Sequence, residues 1–420
     1  IVLAERLPAG HQLAKAWATE SYLRMLNRDY HDAIVWGEKA IELAKRFEHR
    51  EILASAYNSV GAALLFVDYP RGCDYVRKSL EIAKDLGDGA AAVADAYVML
   101  GSGSGEVYEF STADRYLVEG IAFARAHDLD RLAGYMEGWQ ALCDVYQGRW
   151  NIAGERANAV AKREAGGTTN RVTALIALGR LRTRRGDPGA MDVLDEALDL
   201  AMRSGTLQRL APVCGARAEA AWIDRLDRQT KSEAERAFDL AAKKGHPWFL
   251  GELAFWLWRV GELHKAPPAS AEPYRLQIDG RWQEAAVAWQ KIGCPYEQAR
   301  ALADGDETAQ RASLSILDRL GARPLADRVR QQMRSAGIRS IPRGPLPPTR
   351  DNAAGLTTRE LQVLALVADG WRNAQIAAHL SRSPKTIDHH LESILAKLGV
   401  ATRGEAAATA LRLGLLSKNG

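Results

Sequence analysis

An aromatic residue beside a charged one returns at nearly constant spacing through the first part of the chain. The pairs are Asp29-Tyr30, Asp68-Tyr69, Glu109-Phe110 and Arg149-Trp150, at intervals of 39, 41 and 40 residues. A small residue follows each aromatic by three positions, at Ala33, Gly72, Ala113 and Ala153, which places the two on one face of a helix. Amphipathic stretches come next, Ala-Ile-Glu-Leu-Ala (40–44), Ser-Leu-Glu-Ile-Ala (79–83) and Gly-Ile-Ala-Phe-Ala (120–124), and alanine-rich segments such as 54–66 and 94–101 precede the following turn. A helix pair of about 40 residues cannot bury its own apolar faces, so successive pairs must stack on one another. The small residue lets two helix backbones approach, and the aromatic fills the wedge at the turn. This pattern confines the first part of the chain to an all-α fold, an α-solenoid of helical hairpins.

A less aromatic unit runs from Leu175 through Asp187 to Ala201, and another begins at Gly280-Arg281-Trp282. The hairpins resemble tetratricopeptide repeats with a longer period. That resemblance implies a concave surface for a peptide, a partner or a small effector, whose identity the sequence leaves open. Trp248, Phe249, Phe255, Trp256 and Trp258 gather on one expected helix. They could line a pocket for a flat ligand, but a helix apolar on most sides reads first as core. The Gly101-Ser102-Gly103-Ser104-Gly105 run lacks the Gly-Lys-Ser/Thr of a phosphate loop and reads as a flexible connector. A break at Ala266-Pro267-Pro268 to Pro273 sets off the last repeat-like unit. Prolines 342, 345, 347 and 348 mark residues 337–355 as an extended linker. The expected organisation is a repeat domain over 1–336, a linker over 337–355 and a tail domain over 356–420.

The tail carries start, stripe and stop signals for four helices. Thr357 and Glu360 form a capping box, with Leu356 and Leu361 placed to staple the entry. Leu361, Leu364, Ala365 and Ala368 give an apolar face that ends at Gly370. Asn373 opens a short second helix to Leu380. Ser383 caps a third, with Pro384 at its first position. Ile387, Leu391, Ile394 and Leu398 make its buried stripe, and Gly399 ends it. Thr402 and Glu405 form a second capping box for a last helix ending near Leu413-Gly414. Two helices joined by the short turn Ser381–Ser383 present the second of them to a major groove. Lys385, Asp388, His389 and Glu392 lie opposite the stripe. Lys385 suits a phosphate. Asp388 and Glu392 can only accept hydrogen bonds, favouring cytosine N4, and His389 fits several bases.

Residues 356–364, 370–377, 383–391 and 396–400 resemble the LuxR-type, or GerE-like, helix-turn-helix over a nearly gapless run. The resemblance implies that Pro384–Lys397 enters the major groove and that Arg403–Leu413 assists dimerisation. It also implies that Thr386 and His390 contact or support the DNA backbone, with Ile387 in the core. Arg382 stands where the family usually has an apolar residue, and Asp388 and Glu392 replace lysines that some members use on bases. The candidate DNA-contacting set is therefore Arg382, Ser383, Lys385, Thr386, Asp388, His389, His390 and Glu392. Helical repeats followed by this tail resemble the large ATP-binding LuxR regulators. In that class a nucleotide-binding module precedes the repeats. No Walker A sequence occurs in this chain, so no cofactor is assigned to it. Any ATP site is expected in an upstream segment, as the start at Ile1-Val2-Leu3 without methionine also suggests.

The net charge of +4 hides an asymmetry. Residues 339–420 hold 11 Lys and Arg against 6 Asp and Glu, while the rest hold 45 against 46. Positive charge thus gathers where a DNA footprint is expected. Cys73, Cys143, Cys214 and Cys294 have no Cys-x-x-Cys spacing and read as small buried hydrophobes in a reducing cytoplasm. The most apolar stretch, 247–261, carries Glu252 and Arg259 and is too short for a membrane span. No His-Glu-x-x-His or Gly-x-Ser-x-Gly motif occurs, and the adjacent His389 and His390 point about 100° apart on a helix, a poor chelate. The chain is expected to be a cytoplasmic, non-enzymatic transcriptional regulator. Its partners would be double-stranded DNA, another copy of itself, and an effector on the repeats. The competing expectation is a scaffold whose tail binds protein.

Overall fold

The computed structural model describes residues 9–163, 167–344, 354–413 and 415–416. Among them every regular element is helical. The chain divides into two compact units, 1–339 and 340–420. Segment 345–353 of the expected linker, and Gly414, lie outside the described residues.

In the first unit the recurring aromatics begin helices: Tyr30–Arg46, Tyr69–Lys84, Phe110–Ala126, Trp150–Ala161 and Trp282–Ile292. Each of the first four pairs with a following helix: Arg50–Leu64, Ala90–Val98, Asp130–Tyr146 and Gly167–Arg185. Sequence neighbours pack together along the series, as expected for a solenoid of helical hairpins. Small residues set the spacing between helices. A Cβ on Gly72 would meet the Leu65 backbone nitrogen at 2.5 Å, and one on Gly61 would meet the Val76 nitrogen at 2.7 Å. Backbone cannot swing aside, so neither position admits a side chain at this separation. Buried serines stitch the same seams, with Ser21 donating to the Ala33 carbonyl and Ser79 to that of Ala54, both at 2.7 Å.

The Gly101–Gly105 run departs from its expected role as a flexible connector. It lies within a continuous helical path, as π-helix Met99–Gly103 followed by Ser104–Glu106, and all five residues are buried. Added Cβ atoms at Gly101, Gly103 and Gly105 would strike Leu117, Leu65 and Cys143. The glycines serve close helix packing.

Residues 246–335 pack along the turns that connect one repeat to the next. His246 is fully buried against Glu106, which also holds Arg28 bidentately. Trp248 stacks on Tyr108 with centroids 4.3 Å apart. A Cβ on Gly148 would touch Pro295 and Leu320, and Arg323 donates to the Arg185 carbonyl. Several of these turns place a non-glycine residue at positive φ, namely Arg28, Tyr108 and Arg225. The first two commit their side chains to this packing. Phe249, Phe255 and Trp256 are buried, so the aromatic helix Pro247–Arg259 is core. All four cysteines are unbridged and buried, which pushes the thiols of Cys143, Cys214 and Cys294 up.

Buried arginines in this unit are mostly paired. Arg180 bonds Glu219 and Glu252, and Arg184 bonds Glu219 and Glu297. Such pairs add little net stability, but losing one partner strands a buried charge at a cost of about 3–5 kcal/mol. None of the described helices is long and apolar enough to cross a membrane.

Candidate nucleic-acid interface

The second unit has its own core of Leu356, Val363, Leu364, Val367, Ile376, Ile387, Ile394, Ala406 and Ala410. Its helices are Thr358–Ala368, Asn373–His379, Pro384–Leu398 and Arg403–Arg412. Both capping boxes close. Glu360 N–H donates to Thr357 Oγ1 at 3.1 Å, and Thr357 N–H to Glu360 Oε2 at 2.7 Å. Thr402 and Glu405 reciprocate at 3.2 Å each way. The buried face of the first helix differs from the expected stripe. Leu364 belongs to it with Val363 and Val367, whereas Ala365 is half-buried and Ala368 faces solvent. The helix must serve the third and fourth helices together, and the larger valines take the contact.

The turn between the second and third helices closes as a Schellman motif. Arg382 N–H reaches the Ala377 carbonyl at 2.9 Å and Ser381 N–H that of Ala378 at 3.3 Å, with Ser381 left-handed at φ 51°. Ser383 then caps the next helix, accepting from Thr386 N–H at 3.1 Å, and its hydroxyl lies 2.8 Å from that of Thr386. Pro384 occupies the first turn. Ile387 and Ile394 are fully buried, and Leu391 packs partly buried against the same core. The opposite face is outward: Arg382, Ser383, Lys385, Asp388, His389 and Glu392 are exposed, Thr386 and His390 half-buried. The structure therefore brings all eight candidate residues to one turn and one helix.

Besides Ser383 and Thr386, three of them have partners within the unit. Asp388 Oδ1 accepts from Asn373 Nδ2 at 2.6 Å, and His389 Nδ1 lies 3.5 Å from a Glu392 carboxylate oxygen. Asn373 is in turn within 3.4 Å of Arg403, which also donates to the Trp371 carbonyl. A short polar chain thus ties the start of the fourth helix to the outward face of the third. The capping-box reading gave Glu360 only a local role. It also accepts from Ser393 Oγ and Lys397 Nζ, both at 2.6 Å, and so clamps the first helix to the third. Burial alone would raise the Glu360 carboxyl, but the bonds from Lys397, Ser393 and Thr357 outweigh it and hold the group below its ordinary range. The available signal was an acid opposite a Ser/Lys pair four residues apart on a later helix. Nothing local links positions so distant in sequence.

This geometry defines a helix-turn-helix domain with an outward third helix. Residues 354–410 match the family described as "Bacterial regulatory proteins, luxR family", so the carboxy-terminal unit is a LuxR-type helix-turn-helix. The tail is 45% identical over 58 residues to the probable transcriptional regulatory protein SgaR of Hyphomicrobium methylovorum, covering 14% of this chain and 28% of that protein. It is 44% identical over 69 residues to the HTH-type transcriptional regulator MalT of Yersinia pestis (strain Pestoides F), covering 16% of this chain and 8% of that protein. These matches span less than a third of either relative. A solved circular tandem repeat protein aligns over 96% of this chain and 98% of its own at 15% identity, with a TM-score of 0.20, too low to bear on the fold.

Proposed function

We propose that this protein is a transcriptional regulator that binds double-stranded DNA by inserting Pro384–Leu398 into the major groove. The observation that carries the reading is the pinned, outward third helix: Ile387 and Ile394 are buried beneath it, and Lys385, Asp388 and His389 stand exposed above. Arg382 and Lys385 supply phosphate contacts at the turn and first helical residues, where amide groups also point outward. The matched relatives named as transcriptional regulators support the same reading. The protein works without catalysis in the cytoplasm. Its repeats receive an effector or another copy of the chain, and assembly brings tails together on paired half-sites. The test is selection of bound duplexes from a random pool by the full chain, followed by titration at several salt concentrations. Enrichment of a motif with salt-sensitive affinity is expected. Absence of salt-sensitive binding would favour a protein-binding scaffold instead.

A further inference from the structure

A cavity of about 360 Å³ within the first unit collects four guanidinium groups, those of Arg225, Arg259, Arg300 and Arg328, around Trp222. Its volume falls within the range of small-molecule sites, about 300–1,000 Å³. One carboxylate, Asp304, also lines it, and Arg259 occupies both its oxygens at 2.7 and 2.6 Å. That pair is neutral, which leaves three cations. Among the described residues no ion pair within 4.0 Å reaches Arg225, Arg300 or Arg328. The buried arginines Arg28, Arg180, Arg184, Arg217 and Arg330 are all paired, and among the described residues Arg300 is the buried one that is not; Arg225 is exposed and Arg328 half-buried.

Arg300 is the most telling of the three. It is 1% exposed, its Nε and Nη2 have no hydrogen-bond partner, and its charge rests over the Phe255 ring at 4.1 Å. A buried guanidinium with open donors is costly unless an acceptor arrives. Arg328 lies 3.9 Å over the Trp222 ring and donates to the Trp222 carbonyl at 2.7 Å. Burial first, and then the charges of Arg225 and Arg259, depress its pKa, with Asp227 opposing. Arg300, by contrast, is held above its ordinary range despite its burial, by Tyr274 and the carboxylates of Glu297 and Glu219. Arg225 holds a left-handed φ of 63° at its turn and reaches Gln331 across the cavity wall. Gly148 and Gly186 also hold positive φ, at turns that open repeats further along the chain towards its start.

We infer that this cavity is a binding site for a small, multiply charged oxyanion, a phosphate ester or a polycarboxylate, held by Arg225, Arg300 and Arg328. The planar guanidinium forks match such oxygens in pairs, and the anion supplies the acceptors that Arg300 lacks. The site gives the effector a chemical class. That further step rests on the regulatory reading above, so binding is measured apart from DNA.

The experiment is calorimetric titration of the full chain with inorganic pyrophosphate and with citrate, against chloride at equal ionic strength. One-site binding of at least one probe is expected, and the tighter of the two identifies the phosphate or the carboxylate source. Affinity falls at least tenfold in Arg328→Gln and Arg225→Gly, and is unchanged in Arg115→Gln, an exposed arginine outside the cavity. Arg225→Gly keeps the test sound, because glycine suits a positive φ and the variant melts no lower than wild type. Heats no different from chloride overturn the site, as does full affinity in both cavity variants. Intact anion binding with DNA affinity unmoved overturns only its role as effector.

Discussion

Replacing Glu360 with alanine removes the acceptor that joins three segments of the helix-turn-helix. The Thr357 cap loses its reciprocal partner, an effect of about 1 kcal/mol for a helix start. The Ser393 bond, at 2.6 Å to a buried carboxylate, contributes about 1.5 kcal/mol as the lower end of a charged hydrogen bond. Lys397 is one-third exposed, so screening limits that pair to about 0.5 kcal/mol. The total is about 3 kcal/mol, a large share of the stability of a domain this small. At about 4–8 °C per kcal/mol the melting temperature falls by about 12–24 °C. Because residues 340–420 have a separate core, this unit can be melted alone, with Trp371 as its one tryptophan reporter. Glu360→Gln isolates the charge. The carboxyl is held below its ordinary range in the fold, so its contribution is full above the unfolded value of about 4.3 and is lost as pH falls through the folded one. The gap between wild type and Glu360→Gln therefore closes in acid below about pH 4. A drop of less than about 4 °C for Glu360→Ala, or a gap that persists in acid, would refute the clamp.

Lys385→Ala is expected to weaken binding to all duplexes alike and to reduce the salt slope by about 1, read by fluorescence anisotropy at graded salt. Asp388→Ala is expected to change preference at one base pair by about 1–3 kcal/mol, and Asn373→Ala, which frees Asp388 Oδ1, to sharpen preference at that same pair. Identical selection profiles for all three proteins would count against base contact by Asp388. Ser381→Gly is expected to raise stability by about 0.5–1 kcal/mol in urea melts, since glycine takes the left-handed turn without the Cβ penalty; a loss of stability would show that the serine side chain holds the turn.

The features legible in the sequence were those encoded within one turn of helix. Thr357, Ser383 and Thr402 announce helix starts because a cap needs only its own side chain and the amides just after it. The aromatics at 30, 69, 110, 150 and 282 begin helices, and the near-regular spacing of the first four made the repeat visible even though each packs against a neighbouring element. What stayed hidden depends on distant partners. Ala365 and Ala368 looked apolar enough for the buried face, but which side of a helix is buried depends on where the third and fourth helices lie. Gly101 to Gly105 read as a connector because glycine is permissive alone. The contacts that explain it, to Leu117, Leu65 and Cys143, come from other repeats. The arginines around the cavity at Trp222 are separated by up to about a hundred residues, and no spacing rule connects them.

The charge pattern of the tail bears on how it must work. Positive charge gathers after position 339, yet several of those cations are committed inside the unit. Lys397 bonds Glu360, Arg403 bonds Trp371 and Asn373, and Arg359 bonds Gln362 and the Leu380 carbonyl. The outward face of Pro384–Leu398 adds Asp388 and Glu392, which repel phosphate. Arg372, Arg382 and Lys385 remain exposed at the starts of the second and third helices. Three phosphate contacts give a salt slope of about −2.7 for one tail, or about fortyfold lost affinity between 50 and 200 mM salt. Such a tail is expected to hold DNA poorly alone, and under the proposed assembly a second tail on a neighbouring half-site would double the slope and restore affinity through local concentration. The acidic helix face thus makes assembly a requirement of the proposed function, because the weak single tail leaves occupancy under the control of whatever brings two chains together.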